Sequence, residues 1–245
     1  MKKFVKLTAG IALAAAFATT AGVLAGCSNN PSGEAYGLTH GAGFVGYAKV
    51  VKNGDAIKDV TLTEVCLPTH VKNTETDEYY QTVSYGSVTL TYSAADSDYK
   101  VGDVTFKKYL ETEANCKAYY EAVIGNNISV TVGTEQKKNI MTKATLSKEE
   151  NGYWSTSTNV GESKVEGDNK WKANRDATVK YVKDNGVAKL KDLAKITEDN
   201  ANKGFWTDGT IVTGATWNDL NPTDKKGKVY YSYAELIIKA YEAVK

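Results

Sequence analysis

The chain has 245 residues, of which 30 are basic and 29 acidic, with two histidines, three cysteines and three prolines. So even a charge balance offers no basic surface for nucleic acid, and two histidines are too few for a His-built metal centre. Sixteen tyrosines and four tryptophans suit a β-containing domain with much aromatic packing.

In chain order the first element is a leader. Lys2, Lys3 and Lys6 precede an apolar stretch from Leu7 to Val23, broken by Thr19, Thr20 and glycines, so residues 1–26 read as a signal peptide rather than a permanent membrane span. Leu24-Ala25-Gly26-Cys27 resembles the lipobox of bacterial lipoproteins. That resemblance implies acylation of Cys27, palmitate-type chains in the lipid bilayer, and a protein held on the extracytoplasmic face of the cell membrane. Residues 27–35, small and polar, read as a lipidated tether, and residues 36–245 as one principal domain. Without the leader the chain keeps 27 basic and 29 acidic residues and, beside the acylated Cys27, only Cys66 and Cys116. In an oxidising compartment these two either pair or stay as separate buried thiols.

Ala42 to Val51 and Ala56 to Val65 are strand-like and flank Asn53-Gly54-Asp55, a hairpin signal. In the second strand Ile57, Val60, Leu62 and Val65 are apolar among polar neighbours, which predicts a sheet with one face toward water and Glu64 as a solvated strand residue. A further β-rich stretch spans Tyr79 to Tyr92. Helices are predicted from Phe106 to Ile124, stopped at Gly125-Asn126, and from about Asn174 to Gly186. The last helix has the clearest signature, with Ser232 and Glu235 as a capping box and Leu236, Ile237, Ala240, Tyr241 and Val244 at helical spacing. Between Leu146 and Lys170 the composition predicts an ordered surface loop. The pattern as a whole is α+β: a twisted, mainly antiparallel sheet with helices packed on it.

Thr210-Ile211-Val212-Thr213-Gly214-Ala215-Thr216 follows Gly204-Phe205-Trp206 and precedes the terminal helix. Its chemistry is that of a hydroxyl offered on a tight turn, with Gly214 letting backbone amides approach an anion. The run resembles the flavinylation motif of covalent FMN-binding domains, although Thr210 stands where that family has Asp. Tyr36 to Gly46 with the hairpin after it, Glu64 to His70, and Trp171 to Gly186 are similar to the same group, so the resemblance covers most of residues 36–245. The nearest likeness is to extracellular electron-transfer flavoproteins of Gram-positive bacteria. It implies an FMN-binding-like domain carrying FMN on Thr216 through a phosphoester, with Thr213, Gly214 and Ala215 around the phosphate. Trp206, Trp217, His40 and Tyr47 are candidates to contact the ring. The implied partners are a flavin transferase for maturation, a membrane NADH or quinol donor, and an extracellular electron acceptor. A weaker echo, Asn139-Ile140-Met141-Thr142-Lys143-Ala144-Thr145, has Lys143 where the motif has Gly.

Two other classes compete with the electron carrier. One is a solute-binding or sensory lipoprotein that never carries flavin; the other is an FMN-dependent reductase acting on a small substrate. Beyond the flavin loop the sequence shows no acid, base or nucleophile cluster for an enzyme, and the alternative to lipidation at Cys27 is an ordinary secreted protein with a chance cysteine there.

Overall fold

The computed structural model describes residues 30–39, 43–147, 170–193, 231 and 233–245. The chain is α+β, and the described residues form nine strands in two antiparallel sheets with helices packed on them. The first sheet has the order β1 (Ser32–Thr39), β2 (Phe44–Asn53), β3 (Ala56–Cys66). β1 begins at Ser32, so four residues that the sequence assigns to the tether pair with β2 instead. β2 and β3 form the predicted hairpin, with Asn53 opposite Ala56 and Gly54 at φ 61°, a turn position that glycine takes without strain.

Contrary to the sequence expectation, this sheet is covered on both faces. On one face Ala35, Ala48, Val50, Val60 and Leu62 pack against Val182, Leu190, Leu236, Ile237 and Ala240. These come from α4 (Lys170–Leu193) and α5 (Tyr233–Glu242). On the other face Tyr36, Leu38, Val45 and Val65 join a second core with α2 (Glu113–Ile124) and the larger sheet. Only the hairpin end of β3, with Lys58, Asp59 and Thr61 exposed, meets water as the polar pattern predicts.

The approach of α5 is unusually close because the strands beneath it carry little side chain. A Cβ on Gly33 would lie 2.2 Å from Ala240 O, and one on Gly46 would lie 2.8 Å from Leu236 Cδ2. Buried small residues thus set the height of the helix above the sheet, and Tyr231 N donates to Leu38 O at 2.8 Å just before α5 begins. Ser232, half of the predicted capping box, lies outside the described residues; Glu235 does stand in the first turn of the helix, where a carboxylate favours the dipole.

The second sheet runs β7 (Val104–Thr105), β6 (Asp98–Val101), β5 (Val88–Ser93), β4 (Thr82–Tyr85), β8 (Ile128–Val132), β9 (Glu135–Lys137). Val83, Tyr85, Leu90, Ile128 and Val130 are buried, while Thr82, Ser84, Thr89, Thr91, Ser129 and Thr131 alternate with them and are half-buried or exposed. The period of two gives this sheet the one wet face that was expected of the hairpin.

The single helix predicted over Phe106 to Ile124 is two. α1 (Phe106–Tyr109) ends, and Thr112 at φ −124° and ψ 144° starts α2 with its hydroxyl accepting from Asn115 N. Asn115 Nδ2 donates back to Tyr109 O at 2.7 Å, so local side-chain bonds compete successfully with a continuous helix. α4 also departs from expectation. Gly186, predicted as a stop, takes φ 77° and ψ 170°, and the helix resumes beyond it after a kink. A short α3 (Lys143–Leu146) follows β9.

Asp98, buried where β6 meets β5, accepts from Tyr99 N at 2.8 Å. Burial outweighs the backbone donors and holds its carboxyl above the ordinary carboxylate range. The protonated folded state is therefore favoured, and stability is lost as pH rises from the ordinary aspartate value, about 3.9, through the raised one. Asp98→Asn, which keeps an acceptor for Tyr99 N, should gain on wild type over that interval in urea unfolding followed against pH. A stability difference independent of pH would contradict the assignment.

Candidate functional site

Of the residues singled out in the sequence, Cys27, His40, Trp206, Thr213, Gly214, Ala215, Thr216 and Trp217 lie outside the described residues. Those that are described gather mostly at one end of the three-stranded sheet, where β1 ends, β2 begins and α5 starts.

The central feature there is Glu64. Expected in water, it is instead 0% exposed, and its two carboxylate oxygens are met from two directions. Thr39 Oγ1 donates to Oε2 at 2.7 Å and the hydroxyl of Tyr233 donates to Oε1 at 2.8 Å. β1, β3 and the first residue of α5 are therefore joined through one buried carboxylate. Hydrogen bonds to both oxygens are what make burial of such a group tolerable. Gly46 stands opposite Glu64 on β2, and a Cβ there would press on Thr39 Cγ2 at 2.7 Å. The glycine thus keeps the threonine in reach of the acid.

Beside this network, His70 sits on a single 3-10 turn (Pro68–His70) and packs its ring 4.9 Å from that of Phe44. Its Nδ1 lies 3.2 Å from Leu67 O, a contact that a protonated Nδ1 satisfies. Tyr47, offered as a ring contact, stacks on Tyr120 with centroids 4.9 Å apart and donates to Glu34 Oε1 at 2.9 Å.

Cys66 and Cys116 are both free and buried. Each thiol turns to its own carbonyl, Cys66 Sγ to Leu146 O at 3.4 Å and Cys116 Sγ to Leu110 O at 3.0 Å. Burial pushes the Cys116 thiol well above its usual range, which keeps it protonated and unreactive. Of the two alternatives the sequence left open, separate buried thiols is the one observed.

The weaker motif echo has a structural explanation. Thr142 and Thr145 form a reciprocal capping box at the start of α3. Thr145 Oγ1 accepts from Thr142 N at 2.8 Å and donates toward Ile140 O and Thr142 O, each at 3.0 Å. Lys143 N, where the motif needs a flexible glycine, donates to Asn126 Oδ1 at 2.7 Å. A hydroxyl so committed is not presented for modification. Thr145→Ala should cost about 1 kcal/mol in denaturant unfolding, as loss of a helix cap does, and leave any covalent cofactor load unchanged.

Among the described residues no three His, Cys, Asp or Glu side chains are grouped to hold a metal ion, and no helix is long and apolar enough to cross a membrane. A shallow groove of about 490 Å³ lies between the hairpin turn, the kink of α4 and the end of α5, lined by Asp55, Ile57, Lys183, Val187 and Tyr241. Its lysine already pairs with Asp59 at 3.4 Å, so the groove offers a bound phosphate little charge. The burial of Glu64 and its link to Tyr233 were not legible in the sequence; an acidic residue alternating with Val60 and Leu62 on the apolar face of β3 was the one available signal. No family model, curated protein or solved structure matches the chain.

Proposed function

We propose that the chain is a lipid-anchored extracytoplasmic flavoprotein that carries FMN covalently on Thr216 and passes electrons to extracellular acceptors. The observation that carries this reading is the Ile211-Val212-Thr213-Gly214-Ala215-Thr216 run in a chain that also bears the Leu24-Ala25-Gly26-Cys27 lipobox. A cofactor fixed by a bond cannot diffuse away outside the cell, and a lipid on Cys27 keeps its carrier beside a membrane donor.

The described residues bear on the fit at one point. Two threonines end a Thr-x-Ala-Thr run, and the hydroxyl of Thr145 is spent on capping α3, which supports Thr216 over Thr145 in this reading. Bound FMN would supply the reversible one- and two-electron chemistry that an electron carrier needs. What the chain contributes is a hydroxyl for the phosphoester, Gly214 to let backbone amides reach the phosphate, and a loop with no basic residue of its own. The donor in this reading is a membrane NADH or quinol system, and maturation requires a flavin transferase.

The full-length chain, produced with a flavin transferase and Mg²⁺, is expected to be yellow and to fluoresce as a flavin after denaturing electrophoresis. Thr216→Ala should abolish both. The departure at Thr210 favours a second reading, a solute-binding or sensory lipoprotein without flavin, and a colourless wild type under these conditions would support it.

A further inference from the structure

On the face of the small sheet away from α4 and α5, three tyrosines from three elements meet: Tyr36 of β1, Tyr47 of β2 and Tyr120 of α2. Their ring centroids lie 4.9 Å apart for Tyr36 and Tyr47, 4.9 Å for Tyr47 and Tyr120, and 5.7 Å for Tyr36 and Tyr120. Register explains the first contact, since Tyr36 and Tyr47 are directly opposed across β1 and β2. Two of the three phenols then share one carboxylate. Tyr47 donates to Glu34 Oε1 at 2.9 Å and Tyr36 to Glu34 Oε2 at 3.3 Å. Lys49 Nζ stands 3.5 Å from the same carboxylate, and Lys117 Nζ lies over the Tyr36 ring at 5.5 Å. The chain's own lysines thus take the places a cationic ligand would use, so the cluster does not read as a cation site.

A phenol gives up an electron easily only if its proton leaves with it. That requires a base at hydrogen-bond distance, and a carboxylate is one, whereas a backbone carbonyl is not. Tyr99 and Tyr119 donate to the carbonyls of Tyr80 and Cys66 and lack such a base in those bonds. Tyr233 has a carboxylate in Glu64, but both are sealed in the core. The Glu34 side chain is 37% exposed, so it can take up a proton beside the rings and exchange it with water.

We propose that Tyr47, with Tyr36, Tyr120 and Glu34, is a proton-coupled electron-donor site that quenches one-electron oxidants of the peroxyl class at the protein surface. In the step the Tyr47 O–H bond breaks: one electron goes to the peroxyl radical and the proton goes to Glu34, leaving a tyrosyl radical and a neutral glutamic acid. The peroxyl anion so formed takes a proton from water and becomes a hydroperoxide. The ring of Tyr120, stacked on that of Tyr47, and the tilted and edge-on contacts of Tyr36 pack against the radical. The site resets when an enediol reductant such as ascorbate returns one electron and Glu34 returns its proton. This activity is independent of any flavin on Thr216.

The test exposes the full-length chain to peroxyl radicals from a water-soluble azo initiator and follows the tyrosyl signal by electron paramagnetic resonance. Wild type, Tyr47→Phe, Glu34→Gln and Tyr233→Phe are compared, and circular dichroism confirms that each is folded. Tyr47→Phe is expected to remove most of the early radical. Glu34→Gln should slow its formation several-fold, and Tyr233→Phe should behave as wild type. Equal rates and yields in wild type, Tyr47→Phe and Glu34→Gln would overturn the proposal, as would loss of the signal in Tyr233→Phe alone.

Discussion

Gly33→Ala is expected to destabilise the protein by roughly 3 kcal/mol or more, at or beyond the upper end of overpacking penalties in a filled core. The reason is the identity of the atoms in the way. An added Cβ would lie 2.2 Å from Ala240 O, 2.5 Å from Val244 N and 2.6 Å from Ala243 C, all backbone of the chain's last helix and its end. No rotamer change relieves such a contact, so the end of α5 must lift from β1. Urea unfolding would report the loss, and hydrogen exchange should open first around Ala240 to Val244. Unchanged stability would mean that α5 does not rest on β1 as closely as described.

Glu64→Ala should have an effect of similar size by a different route. Truncation removes the acceptor shared by Thr39 and Tyr233, and each buried hydroxyl deprived of it costs about 1–3 kcal/mol, with a cavity added. Glu64→Gln keeps the volume and one acceptor oxygen, so its loss should be smaller. The double variant Glu64→Ala with Tyr233→Phe separates the causes, because removing the stranded hydroxyl should restore part of the loss. Additive single losses in equilibrium unfolding would show that Glu64 and Tyr233 are not coupled.

The parts of the fold legible in the sequence are those set by local rules. The β2–β3 hairpin follows from Asn53-Gly54-Asp55 between alternating strands, and α5 from the spacing of Leu236, Ile237 and Ala240. The four short strands β6 to β9 were missed, since two to five residues carry too little periodicity to register. The break between α1 and α2 depends on the bond from Asn115 to Tyr109 O, which an apolar pattern does not encode. Glu64 was misjudged because its residue type was weighed above its place: it alternates with Val60 and Leu62 on the face that α4 and α5 cover. The site is more uneven. Thr145 could be set aside only once its hydroxyl was seen in a capping box, whereas the reading of Thr216 still rests on its motif.

The measurement that tests the central claim most directly is the intact mass of the chain produced with a flavin transferase, for wild type, Thr216→Ala and Thr145→Ala. The electron-carrier account predicts one FMN phosphoester on wild type and on Thr145→Ala, and none on Thr216→Ala. An unmodified wild type, or an adduct that survives Thr216→Ala, would contradict it.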